Sequence, residues 1–236
     1  MRIGYAAFAV TMMALGILSL AKGDFAPIWQ PSPKNLPARD VLVYVCALLS
    51  LGCGLGLLWK RSARDASVLL LAYLLAWLLL FRVPRVVASP LSQESWSGFG
   101  ETAVIVAGAW AAYAANGGIG LRVVRMLFGI ALIPFGVAHF VYAKETAGLV
   151  PGYLPWHLAW AYLTGVTYIA AGAAVICGVY ARLAAVLATV QMGLFTLLIW
   201  VPIVASGANA FQWSEFVISV ALTTAAWVVA DSYAKR

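Results

Sequence analysis

Apolar residues in this chain do not alternate with polar ones; they come in blocks. Eight blocks, near 3–21, 40–59, 66–83, 100–116, 122–142, 157–179, 183–204 and 214–231, are apolar on every face, and polar residues gather between them. A membrane-spanning helix needs about 20 mostly apolar residues. Its backbone polar groups must be satisfied within the segment. The pattern therefore predicts an all-α integral membrane protein with eight transmembrane helices. The blocks also repeat. Phe81-Arg82-Val83-Pro84 is echoed by Ile199-Trp200-Val201-Pro202, Arg64 by Arg182, Tyr44 by Tyr162 and Gly54 by Gly172, all at one offset. Gly16 and Gly136 match at an offset two residues larger. Self-similarity at a long period marks a duplicated unit. Four helices return the chain to its starting side, so the repeats are parallel. The expected architecture is two parallel-repeat four-helix bundles, 1–116 and 122–236, joined by the turn Asn116-Gly117-Gly118-Ile119-Gly120.

Composition agrees with that reading. The chain is 64% hydrophobic and 10% charged, with mean hydropathy +0.94, far from the balance of a soluble domain. The net charge of +7 is distributed by side. Arg2, Lys60, Arg61, Arg64, Arg122, Arg125, Arg182, Lys235 and Arg236 fall on one side, and only Lys22, Lys34, Arg39, Arg82, Arg85 and Lys144 on the other. The excess marks the cytoplasmic face, so both termini are expected in the cytoplasm of a plasma-membrane protein. These basic residues are topology signals; they exclude nucleic acid as a partner and leave the lipid bilayer as the evident one. The first block resembles a signal peptide, but its repeat counterpart is internal, which favours a retained helix. Cys46, Cys53 and Cys177 lie mid-helix without a CxxC and read as small buried hydrophobes.

The outer connections are unusual. Residues 22–39 carry four prolines and Trp29; 143–156 carry Tyr153 and Trp156; Trp96, Phe99, Phe211 and Trp213 stand in the other two. Aromatic residues at that level are expected to form an interfacial belt, the alternative being a cap folded over the bundle.

The four-helix unit resembles the DoxX family. The resemblance rests on a glycine-bearing first helix, a proline and aromatic loop, and a small-residue second helix ending in Leu/Tyr-x-x-Arg. It continues with a third helix ending in aromatic-x-Pro and a fourth opening on Trp/Phe-x-Glu, and it is fuller in 122–231. Family members often place a histidine before that proline; here the position reads Arg82 and Trp200. The resemblance implies a membrane subunit or accessory of a redox system, linked to quinone or sulfur chemistry and working with a redox partner protein.

The residues offer two candidate sites. His139, Tyr142, His157 and Glu215 fall near the outer ends of the fifth, sixth and eighth blocks, with Trp156 and Trp213 beside them. Histidine, tyrosine and carboxylate groups at a bilayer edge can bond a quinone headgroup and move its protons. The alternative is structural: His139 donating to a backbone carbonyl and His157 sitting among headgroups. The secondary candidate is Arg82, Arg85 and Glu101, either a helix-end ion pair with snorkelling arginines or an anion-facing mouth. Two histidines and a glutamate without close spacing give no metal site. The leading reading is a redox-associated membrane subunit with a small-ligand site near the outer face and quinone as the possible cofactor. A small-solute transporter and a non-enzymatic scaffold are the alternatives. Gln191 is the only amide expected at mid-bilayer, which weighs against a conducting path.

Topology is checked by labelling. In a background without the native cysteines, single cysteines at Ser32, Ser92, Gly152 and Ser206 should react with an impermeant reagent on intact cells, and one at Ser62 should not. Reaction at Ser62 with silence at Ser32 reverses the orientation.

Overall fold

The computed structural model describes residues 3–32 and 36–234, which leaves the topology charges Arg2, Lys34, Lys235 and Arg236 outside the described residues. Those residues are helical throughout their regular structure, with no strand among them. In chain order the helices are α1 (Ile3–Lys22), α2 (Arg39–Leu58), α3 (Ala63–Trp77), α4 (Val83–Ala88), α5 (Gln93–Ala115) and α6 (Leu121–Val141). They continue with α7 (Ala143–Leu149), α8 (His157–Cys177), α9 (Ala181–Phe195), α10 (Val201–Ala205) and α11 (Ala210–Asp231). A short 3₁₀ turn, Pro27–Trp29, follows α1. Single π turns, Leu78–Arg82 and Thr196–Trp200, join α3 to α4 and α9 to α10.

Among the described residues seven helices are long and apolar enough to cross a membrane. Counting α3–α4 and α9–α10 as continuous, they coincide with seven of the eight predicted blocks. The fourth block departs from expectation: α5 has 23 residues but is not among the seven. The reason is its place. Residues 102–109 are all buried, and α5 packs against α3, α6 and α11. A helix enclosed by other helices has little lipid-facing surface to make apolar, so alanine, glycine and two glutamates suffice.

Glycine decides how the helices pair. A Cβ added to Gly16 would stand 2.6 Å from the Ala47 carbonyl oxygen, and one on Gly54 2.7 Å from that of Ala9. In the second half, Gly136 meets the Gly165 oxygen at 2.6 Å and Gly172 the Gly129 oxygen at 2.6 Å. The pairs α1·α2 and α6·α8 therefore cross with backbones in contact, the close approach that small residues allow in lipid. At the centre, α5 meets α11 where a Cβ on Gly108 would lie 2.8 Å from Ala225 Cα.

The π turns precede Val83-Pro84 and Val201-Pro202. In each, the valine N–H bonds five residues back, to Leu78 O and Thr196 O. The extra residue changes which side chains face inward just before the proline. At the terminal end of the bundle, Arg125 donates to Ser232 O at 2.7 Å and lies 3.9 Å over the Tyr233 ring. A cation there closes the carbonyl end of α11.

Gly52, two residues before Gly54, meets nothing within 4 Å. Gly54→Ala should therefore destabilise the protein by about 1–3 kcal/mol through overpacking. Gly52→Ala should be neutral or stabilising by up to about 1 kcal/mol. Thermal unfolding in detergent separates the two; equal shifts would contradict the packing role given to Gly54.

Candidate functional site

The proline-rich loop after α1 is a buried plug. Phe25, Ala26, Pro27, Ile28 and Trp29 are all buried, Trp29 to 2% exposure. Trp29 packs on Tyr73 and Trp77 at 5.0 and 4.9 Å between ring centroids, and Phe25 on Trp77 at 5.2 Å. Burying such a side chain from water is worth about 1.5–3 kcal/mol, which holds the loop inside the end of α1–α3 away from the N-terminus. Polar ties fix its shape. Ser19 Oγ donates to Asp24 O at 2.5 Å, Gln30 Nε2 to Phe25 O at 3.1 Å, and Arg39 pairs with Asp24 at 2.6 Å. The interfacial belt expected here is thus a cap. The belt description fits the second half instead, where Trp156 is 81% exposed and Tyr153, Phe211 and Trp213 also face outward.

Arg82 holds the cap from below. The expectation of a snorkelling arginine is overturned: Arg82 is 2% exposed. Its Nη2 donates to Gln30 O at 2.8 Å and Ile28 O at 3.3 Å, and its Nε to Thr102 Oγ1 at 3.0 Å. Thr102 Oγ1 in turn donates to Gly98 O at 3.1 Å. Gly98 makes the room: a Cβ there would lie 3.1 Å from Arg82 Nη1. The π turn ending at Arg82 turns the side chain inward, and the cap's carbonyls replace the water that a buried guanidinium lacks. Arg85, included in the same expectation, does form a helix-end ion pair. It pairs with Glu94 at 3.3 Å near the surface.

Two carboxylates complete this cluster. Glu101, one residue before Thr102, feels the charges of both Arg82 and Glu215. Glu101 and Glu215 are half-buried, on α5 and α11. Among the described residues neither takes part in an ion pair within 4 Å. Glu101 thus lies near both Arg82 and Glu215, at the end of the bundle away from the chain termini.

His139 has contacts of its own. Its Nδ1 is 2.7 Å from Phe135 O, and a carbonyl only accepts, so the neutral ring carries its proton on Nδ1. Nε2 is then a bare lone pair, buried and, among the described residues, without a hydrogen-bond partner. The ring faces Tyr168 at 5.5 Å and Phe195 at 5.6 Å. Tyr142 follows α6 with its side chain exposed, Trp156 precedes α8 in a left-handed conformation, and His157 is the half-buried first residue of α8. Trp213 meets Phe216 edge-on at 5.8 Å. Gln191 bridges α9 to α8, donating to Thr164 O at 3.1 Å and accepting from Thr167 Oγ1 at 2.5 Å. Among the described residues no three His, Cys, Asp or Glu side chains are grouped to hold a metal ion. Cys46 and Cys53 are buried, but Cys177 is exposed, at the end of α8.

Thr102, Gly98 and the carbonyls of Ile28 and Gln30 had no signal in the sequence. Gly98 beside Glu101 was visible, but nothing tied it to an arginine in another block.

Residues 128–230 match the model of a family described as a domain of unknown function (DUF8561). No curated protein and no solved structure matches the chain.

Replacing Arg82 with glutamine should free the cap. It loses charge-assisted hydrogen bonds worth about 1.5–3 kcal/mol each. A cysteine at the buried Ala26, in a background without the native three, should be inert beside Arg82 and reactive in the Arg82→Gln variant. Unchanged protection would show that the aromatic packing alone holds the loop.

Proposed function

We propose that the chain is a plasma-membrane protein of eight spans, α5 being the eighth, with both termini in the cytoplasm. In this reading 1–116 and 122–236 are tandem DoxX-like four-helix units inserted in the same orientation. Support comes from the matching glycine crossings of α1·α2 and α6·α8, and from the π turns that precede Pro84 and Pro202. The charge asymmetry of the loops supports the orientation.

The function proposed is that of a redox-associated membrane subunit binding a small ligand near the outer face. One observation carries it: a buried guanidinium near Glu101, with Glu215 near Glu101 in turn, neither carboxylate being in an ion pair among the described residues. Ionisable groups inside a membrane bundle are costly and mark functional sites. The donors of Arg82 Nε and Nη2 are already given to Thr102 and to the loop carbonyls. What the cluster offers a ligand is therefore mainly carboxylate. Two carboxylates repel a sulfur oxyanion, so the sulfur-linked form of the reading is less well supported than the quinone-linked one. A quinol suits them: its hydroxyls donate to carboxylates, which also accept its two protons on oxidation. Its two electrons must leave to a redox partner protein, because the chain has no redox centre of its own sequence motif. The transporter alternative is less well supported. The mid-membrane hydroxyls of Thr196, Ser219, Thr223 and Thr224 bond to one another or to their own helices.

The test is the lipid extract of the purified full chain, assayed for quinone, with binding of a short-chain quinone followed by thermal shift. A stoichiometric quinone is expected in the unmodified protein. Glu101→Gln and Glu215→Gln should each weaken short-chain quinone binding by about tenfold, the loss of one hydrogen bond to a charged group. An extract without quinone, and no thermal shift on adding it, would overturn the reading.

A further inference from the structure

The lipid-facing side of the second half is cleft between α9 and α11. A cavity of about 590 Å³ runs along this seam from Arg182, Asp231 and Ala234 at the terminal end to Thr196 and Leu197 near mid-membrane. From Arg182 to Leu197 the helix rises roughly 22 Å, and the hydrocarbon of one leaflet is about 15 Å deep. The cleft is thus long enough to cover the hydrocarbon of one leaflet, is mostly apolar, and has a cation at its mouth. A second cavity, lined by Tyr180 and Tyr233, shares Arg182 and Val186 with the first and extends the mouth. Among the described residues Arg182 forms no ion pair.

The first half explains why the cleft exists. At the offset that pairs Arg64 with Arg182, Leu71 stands where Thr189 stands and Leu75 where Gly193 stands. Leu71 is buried and Leu75 packs against the core, so the first half puts packed leucines at the equivalent positions. In the second half those two side chains are a threonine and a glycine. A Cβ on Gly193 would meet only Thr223 Cγ2, at 3.5 Å. The missing leucines leave a space with the shape and polarity of an acyl chain.

We infer that the α9–α11 cleft is a binding site for one phospholipid of the leaflet on the side of the chain termini, its phosphate on Arg182 and one acyl chain along Gly193. Phosphate fits because arginine presents a planar fork of donors to it. Asp231 also lines this end of the cleft, but its Oδ2 is buried, 3.0 Å from where a Cβ on Gly4 of α1 would stand. Trp227 lines the wall of the cleft and is partly exposed within it. The inference rests on the repeat register and on the cavity, not on the outer-face charge cluster.

Native mass spectrometry of the delipidated full chain tests it. The probes are palmitoyl-oleoyl phosphatidylethanolamine and the diacylglycerol with the same chains. One phospholipid should be retained, and diacylglycerol about fivefold less well, the worth of one arginine–phosphate attraction at a membrane surface. Arg182→Gln, an exposed substitution that leaves the packing intact, should remove that preference. Gly193→Leu should refill the seam and abolish retention of both. Brominated-chain phospholipid should quench Trp227, read as the difference from Trp227→Phe. Equal retention of diacylglycerol and phospholipid, an unaltered preference in Arg182→Gln, or undiminished binding in a folded Gly193→Leu would each overturn the assignment. A cleft that holds lipid only at the concentration of the bulk bilayer would do the same.

Discussion

Backbone touching backbone is the constraint on which this bundle depends. Lipid tails are as apolar as leucine, so helices in a membrane gain little by burying apolar surface against each other. What remains is close approach, and it is set at Gly16, Gly54, Gly136 and Gly172. Once α1 lies on α2 and α6 on α8, the positions of α3 and α9 follow, and α5 and α11 are left to meet along Gly108. That central contact brings Glu101 and Glu215, from different halves, into one electrostatic neighbourhood. The charge cluster is a by-product of how tightly the outer pairs cross.

On this common frame the halves diverge by filling the same places differently. The first half buries an arginine and must supply it with oxygens, so it carries a long loop whose carbonyls reach down and whose aromatic rings fill the bowl. The second half has Trp200 in that position, needs no such loop, and leaves its aromatic residues at the surface. Tyrosine positions are exchanged in the same way. Tyr73 lies on α3 opposite Ser50 of α2, whereas Tyr168 lies on α8 opposite Gln191 of α9. In each half a tyrosine ring enters the space between these helices, from opposite sides.

Much of the fold was legible because block length and glycine spacing are local properties. Seven blocks became helices long and apolar enough to span a membrane, and the glycines paired across halves in sequence also make equivalent contacts. The fourth block read less clearly, since a helix surrounded by protein loses the apolar excess by which spans are recognised. The site was legible only as residue types. The sequence singled out Arg82 and Glu101 but gave Arg82 a place at the headgroups. Helical periodicity assumes an unbroken register, and the π turn ending at Arg82 breaks it, turning the guanidinium inward. Nor could composition show that Phe25 and Trp29 leave the interface, because their partners Tyr73 and Trp77 lie some fifty residues further on. His139 was foreseen with both of its readings, and its Nδ1 contact with Phe135 O is the structural one, with Nε2 left over.

The paired π turns also carry a relative date. A π turn is an α-helix that has absorbed one extra residue. Here the extra residue lies at the same register in both third helices, five residues before the valine that precedes each proline. If the halves descend from one ancestor, a single insertion before the duplication accounts for both more simply than two independent ones after it. The residues at the ends of these turns, Arg82 and Trp200, differ and so record change after the copies separated. The inward-turning position is then older than either of its present occupants, and the arginine chemistry of the first half was built on a bend that it inherited.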